Sequence, residues 1–507
     1  MQSRCPARSV FLGLILIVAL VTGTASGALK ELKEKDIEAL RIVSQANLPH
    51  KILVASQIQA NLKFLTSLIM TVAKIHEEDR LGPEDSFKVS IIPSMGEKIT
   101  GQTPLRKAVP KKIFEKYVEY IPQETWSDPW LQDIGEVAMV KVKNDPKPQL
   151  LIIDSQRGQG LAALPEFLAK LWNSYYLKNP TDRQPGGDSG GNIEATPDDI
   201  LIIGSRSSKE LRDLFARHGY QNRMAVVDTD WLVVGHCDEY LSAVPTDRHP
   251  DGYGLVKANP RLALRLLADA SRQELENVRP AEFRNRCLAI FNFLEEARQR
   301  ANARQGETSD PLTFGEQLLI YLENVDPQTG MVSEQARIRY GSVWNRAFQK
   351  NLGEREVDGE SVERFIRANL ALANLIDTNV ELVRDTVNRV HARPSKTPIG
   401  VHSFPMLFEP YHQAPQYGKI RFVSSFPGVV NQLILRRHLL VPDPLITAFR
   451  QQIRTTAKAL GMKSHFIDDM YYHQLLGDVH CATNVFRLPN RYIIKPANLP
   501  AIWQPRQ

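Results

Sequence analysis

The chain has 507 residues, 43% hydrophobic and 24% charged, with a formal net charge of +6. That composition excludes a disordered or collagen-like chain and is ordinary for a globular protein with room for several structural units. Its 63 Lys and Arg are interspersed with 57 Asp and Glu, without a basic run that would track a phosphate backbone, so nucleic acid is not an expected partner.

Residues 1–27 have the layout of a secretory signal peptide: Arg4 and Arg8, an apolar run over 10–21, then small residues up to Gly27. The apolar run is shorter than the roughly 20 residues a bilayer span needs, so export is expected rather than stable membrane insertion. Of the four cysteines, Cys5 falls in this leader, leaving Cys237, Cys287 and Cys481. An odd, sparse set in an exported chain is no disulfide framework and flags a free thiol.

Leucine and isoleucine recur at helical spacing over 28–45, which predicts an amphipathic helix and makes 28–50 an N-terminal helical segment. From residue 51 strands and helices alternate. Strands are predicted over 51–54, 87–92, 149–154, 200–203 and 224–227, and helices over 59–76, 161–172 and 208–218. This is the grammar of an α/β fold. The Gly-, Pro- and Asp-rich stretch 179–197 reads as a loop, and about 261–393 as a mostly helical insertion. Alternation resumes with a strand over 419–424, helices over 428–438 and 444–460, a strand over 464–467, a turn presenting Cys481, and a strand over 492–495. No residue-level repeat is visible; only the order of strand and helix recurs.

Four stretches hold polar residues that are costly to place for structure alone. Asp128, Trp130, Asp133 and Glu136 crowd a segment that Pro129 and Gly135 keep out of regular helix. Carboxylates beside aromatic rings suit a flat cation such as guanidinium. In 186–194, Asp, Ser, Asn and Glu alternate with glycines and offer oxygen ligands for Ca²⁺, though without EF-hand spacing. The apolar stretch 231–234, read as a strand, runs into His236, Cys237, Asp238 and Glu239. Near the C-terminus come Asp478, His480, Cys481, Thr483 and Asn484. A cysteine with a sequence-distant histidine and acid is what a thiol nucleophile requires. Zinc on His236, Cys237, His480 and Cys481 is disfavoured, because adjacent ligands fit a tetrahedral site poorly.

Together these stretches resemble the catalytic region of the protein-arginine deiminases. The matching runs are 128–133, 188–194, 230–239 and 477–485, with 426–431 and 466–469 in the same order, so the likeness covers 51–507 as one catalytic domain. The resemblance implies a five-bladed α/β propeller, the pentein fold, acting on arginine in proteins or peptides. It implies Cys481 as nucleophile, His236 as acid and base, Asp133 and Asp238 as grips on the guanidinium, Trp130 as a wall of the slot and Arg157 as a contact to the substrate backbone. It further implies one Ca²⁺ held by Gln132, Glu136 and Glu194 and by the carbonyls of Gly190 and Ile193. Gln159 stands where the family has a second arginine, and Cys237 where it has an aliphatic residue. Two rival readings remain: a deiminase of free arginine or another small guanidino compound, and a catalytically silent arginine-binding protein.

Overall fold

The computed structural model describes residues 28–503 apart from 95–96, 98–102, 122–127, 146, 159–160, 182–185, 305–310, 327–329, 331, 334–361, 393–398, 412–419, 495–499 and 501–502. The predicted signal peptide and Gln159 lie outside the described residues.

The N-terminal segment is not the expected helix. It forms β1 (Lys30–Glu31) and β2 (Ile37–Ile42), which flank β6 (Gly135–Val142), β7 (Gln149–Asp154) and β8 (Tyr175–Lys178) in one sheet. Leu40 pairs with Val140 and Ile42 with Ala138, so ladder bonds and cross-strand packing override a weak helical period.

Among the described residues there are six sheets, and five share one wiring. An antiparallel strand pair is followed by a helical crossover and a strand parallel to the second member. In the first unit β20 (Thr483–Tyr492) pairs with β3 (Asn47–Ala55), and helix α1 (Leu62–Glu78) leads to β4 (Lys88–Ile92), with β5 (Val118–Tyr120) added. Phe64, Leu65, Leu68, Ile69, Val72 and Ile75 lay one apolar stripe of α1 on this sheet. The second unit is β6, β7, α2 (Leu164–Leu171) and β8. The third is β9 (Ile193–Ala195), β10 (Leu201–Gly204), α3 (Lys209–Phe215) and β11 (Met224–Val227).

The fourth unit pairs β12 (Leu241–Pro245) with β13 (Tyr253–Asn259) and β13 with β14 (Val401–Pro405). Its crossover carries the whole helical middle, including α4 (Pro260–Asp269), α5 (Ala281–Ala303), α6 (Phe314–Glu323) and α7 (Val362–Val390). Buried Ile366, Leu370, Ala373, Ile376, Val380, Val383 and Val387 form the inner face of α7 at steps of three and four. A hairpin of β15 (Phe408–Pro410) and β16 (Phe422–Ser424) follows. The fifth unit is β17 (Leu433–Leu435), β18 (His438–Pro442), α8 (Thr447–Ala459) and β19 (Lys463–Ile467).

Three further expectations are corrected here. Residues 428–438 make a turn and a hairpin rather than a helix, because Leu433-Ile434-Leu435 is too short a run to fix a period, and Arg436 turns the chain at φ 57°. Residues 231–234 contribute one isolated bridge, Leu232 to Phe422, instead of a regular strand. The last strand begins at Thr483, straight after the Cys481 turn, and ends where it was expected to begin.

Candidate active site

Each unit delivers its polar residues from the short segment that enters its first strand. Asp133 lies in the 3-10 turn Leu131–Ile134 before β6, and Gly190–Asn192 forms the turn before β9. His236 and the turn Cys237–Glu239 precede β12, Asn431 precedes β17, and Cys481 precedes β20. Asp133, His236, Asp238 and Cys481, from three units, share one buried cluster.

Cys481 is a free, buried thiol. Asn431 brackets it: its Nδ2 donates to Sγ at 3.1 Å, and its Oδ1 accepts the Cys481 N–H at 3.0 Å. Sγ stands 3.7 Å from Asp238 Oδ2. Burial, then the charges of Asp238, Asp133 and Glu239, push this thiol well above its ordinary range. Asp238 Oδ2 also meets His480 Nδ1 at 2.8 Å, while its Oδ1 is buried without a hydrogen-bond partner.

His236 is buried, with Nε2 2.9 Å from the Gly186 carbonyl and Nδ1 3.7 Å from Asp133 Oδ1. His236 and Asp238 meet over Gly191, where a Cβ would lie 2.7 Å from His236 Nδ1 and 3.0 Å from Asp238 Oδ2. Only glycine leaves both groups room. Glu239 Oε1 accepts the N–H groups of Gly235 and His236 at 3.0 and 2.8 Å and so fixes the turn. Burial pushes the Glu239 carboxyl up to about 8.

Arg157 donates to Asp133 Oδ2 from Nη1 at 2.5 Å and to Asp128 Oδ2 from Nε at 2.7 Å. A guanidinium of the protein therefore already lies against the carboxylate expected to grip a guanidinium. Burial raises the Asp133 carboxyl against the lowering charges of His236 and Arg157, and its Oδ1 is buried without a hydrogen-bond partner. Trp130 packs on Tyr472 with ring centroids 5.7 Å apart and covers Gly477, whose Cβ would strike the indole.

A cavity of about 450 Å³ opens at this cluster, lined by Cys481, Asn431, Glu239 and Gly477 among others. Glu282, Phe283 and Arg286 of α5 complete its wall, so the helical insertion builds part of the site.

Behind the same turn lies a second cavity of about 40 Å³, lined by Gln132, Glu136, Ile193, Glu194, His480 and Arg487, among others. Burial and the neighbouring Glu194 push the Glu136 carboxyl well up, and burial pushes that of Glu194 up to about 7. A Cβ on Gly190 would lie 2.3 Å from the Gln132 carbonyl oxygen and 2.5 Å from Glu136 Oε1. Arg487 faces the cavity but donates to the carbonyls of Asn47 and Ile434 at 3.0 and 2.8 Å. Buried carboxylates and an amide around one small cavity are hard-oxygen donors of the kind Ca²⁺ takes, so these side chains fit that ion.

Sequence reasoning missed the roles of two residues. His480 bridges the two acid groups, 2.8 Å from Asp238 and 3.7 Å from Glu194. Burial opposes its charged form, but the Asp238 hydrogen bond and the Glu194 charge outweigh it and raise the imidazole. Asn431 is the other, and its only signal was a polar residue closing the run 426–431. Cys237 fills a core position: its sulfur is buried, 3.7 Å from the Gly191 carbonyl, in the cluster with Ile202 and Tyr240.

These features define a thiol–imidazole–carboxylate centre on an α/β scaffold. The family profile described as Protein-arginine deiminase (PAD) matches residues 103–305 and 325–492, and the chain belongs to this family. It is 26% identical over 394 residues to mouse protein-arginine deiminase type-4, covering 72% of this chain and 48% of that protein. The human type-3 enzyme is 26% identical over 397 residues, covering 72% and 47%. The chain thus spans about half the length of the curated relatives it matches. Among solved structures, the agmatine deiminase of C. jejuni aligns with a TM-score of 0.44 at 10% identity, covering 89% of this chain and 96% of that one.

Proposed function

We propose that the chain is a secreted, calcium-assisted hydrolase that converts arginine side chains of proteins or peptides to citrulline and ammonia. The observation that carries this reading is the meeting of Asp133, His236, Asp238 and Cys481 beside a cavity in a chain of this family. We further propose that the five like-wired units stand as blades around that cluster, since each aims the entry of its first strand at it.

In the free protein burial, and then the charge of Asp238 beside it, push the thiol up. A guanidinium cation entering beside that carboxylate offsets its charge, and the thiol proton passes to His236. The thiolate attacks the guanidinium carbon to give a tetrahedral adduct. His236 returns its proton to one nitrogen, the C–N bond breaks, ammonia leaves and a thiouronium remains on sulfur. Water then adds to that carbon while His236 takes one proton. The C–S bond breaks with its electron pair returning to sulfur, the hydroxyl proton restores the thiol, and citrulline leaves. The proton on His236 passes to the released ammonia, giving ammonium. Asp133 and Asp238 fix the cation over sulfur, which requires Arg157 to yield Asp133.

Gln132, Glu136, Glu194 and the carbonyls of Gly190 and Ile193 would hold calcium. When bound, the ion supplies positive charge behind the 131–136 turn and orders it. Gln132 donates its N–H to the Cys481 carbonyl at 3.2 Å, so order in that turn reaches the thiol.

Ureido-group detection with an N-blocked arginine amide, under reducing conditions and with calcium or a chelator, tests the proposal. Citrulline is expected with calcium, and free arginine should turn over more slowly. No citrulline with calcium would overturn the reading, and faster turnover of free arginine would redirect it to a small guanidino substrate. Export is tested by N-terminal sequencing of the secreted protein, which should begin near Ala28.

A further inference from the structure

Two pairs of imidazoles lie away from the reaction centre, and they differ in what surrounds them. His249 and His402 approach at 2.9 Å through their Nε2 atoms. His438 and His465 approach at 2.8 Å, Nδ1 to Nε2. Among the described residues, only the second pair belongs to a cluster of three ligating groups within 4.8 Å of one another, the third being Glu78.

The sheet register explains the meeting. His438 opens β18, and His465 on the parallel strand β19 stands opposite Leu440, two residues along on the same face. Imidazoles at such diagonal positions reach each other. Glu78 is the last residue of α1, where the negative end of the helix dipole favours a cation. Asp79, the next residue, lies 3.0 Å from His438 Nε2. A proton on that nitrogen leaves the Nδ1 lone pair facing His465, as in carboxylate–histidine–metal arrangements.

We propose that His438, His465 and Glu78 bind one divalent transition-metal ion of the zinc class, with Asp79 orienting His438. The ion ties α1 of the first unit to the β18–β19 sheet of the fifth. Two nitrogens on a tetrahedral zinc stand about 3.3 Å apart, so the pair opens by only about half an ångström. Two imidazoles and one carboxylate select zinc-class ions over Ca²⁺, and three protein ligands leave the fourth position to water. Lys463 and Lys74 now sit 2.7 and 3.6 Å from Glu78, and Arg436 3.3 Å from Asp79. The two lysine side chains are 56% and 59% exposed and can swing into water when the ion enters.

The test uses the full chain carrying Cys481→Ser, which removes a competing thiol, in saturating calcium. Titration calorimetry with Zn²⁺ should show one site, Co²⁺ should give the visible band of a tetrahedral complex, and Zn²⁺ should raise the melting temperature. His465→Gln and Glu78→Gln should each weaken Zn²⁺ binding tenfold or more and lose the Co²⁺ band, with the metal-free melting temperature near that of the parent. His402→Gln should retain both signals. Unchanged binding in His465→Gln, equal loss in His402→Gln, or no Zn²⁺ uptake by the parent would overturn the assignment.

Discussion

The 131–136 turn separates two buried acid clusters that differ in their counter-charge. On one face Asp133 has Arg157 at 2.5 Å and His236 at 3.7 Å. On the other, Glu136 and Glu194 face a small cavity where the nearest charged partner is His480, 3.7 Å from Glu194. Burying a carboxylate costs free energy unless a cation or hydrogen-bond donors offset it. The first face brings its own cation, which the proposed guanidinium substrate would replace. The second has carboxyls pushed up their scale, where the proposed calcium ion would restore balance. On the proposed reading, one turn couples the guanidinium site to the calcium site.

The largest effect expected in breaking this contrast is at the thiol. Cys481→Ser should lower citrulline formation by roughly three orders of magnitude or more, while calorimetric calcium binding stays as in the parent. Loss of both together would mean that the two clusters are one site.

Glu136→Gln keeps the shape and removes one charge from the second cluster. Calcium affinity should fall roughly tenfold or more by calorimetry, with the maximal rate in excess calcium largely recovered. An unchanged affinity would put the ion elsewhere.

Glu239 sharpens the comparison through pH. Its folded value of about 8 lies above its ordinary 4.5, so the unfolded chain releases this proton first as pH rises. Its contribution to stability is whole below about pH 4.5 and is lost as pH climbs through 8. Glu239→Gln keeps the acceptor oxygen and cannot ionise, so it should gain on the parent across that window, by a few kcal/mol at most (about 1.4 per pKa unit). Melting curves that stay parallel from acid to alkaline pH would contradict this.

The smallest effect is at Cys237. Cys237→Ala should cost about 1 kcal/mol of stability and leave the rate unchanged, as expected of a core thiol. A large fall in rate would bring it into the chemistry.

Where one periodicity ran long, the fold was readable from the residues. The stripes of α1 and α7 and the strand-helix order of the units are of this kind. Short segments were not, because their partners decide them: 37–42 is a strand through its pairing with β6, and 433–435 becomes a hairpin at an arginine turn without Gly or Asn. Asp133, His236, Asp238 and Cys481 were nameable because each sits in a polar run that regular structure does not explain. His480 stood in one of those runs and Asn431 closed the apolar run 426–431, neither with a role, since hydrogen bonds between units leave no mark on local sequence. The fivefold recurrence of wiring was equally hidden, because it lives in strand pairing and not in residue identity.

The central claim is that Cys481 is a thiol shaped to receive a guanidinium. It is tested most directly by mass-spectrometric mapping after brief exposure to a haloacetamidine, an electrophile of guanidinium shape, with calcium present. The account predicts modification at Cys481, suppressed by excess N-blocked arginine amide, with Cys237 and Cys287 untouched. An unlabelled Cys481, or labelling that the arginine amide leaves unchanged, would contradict it.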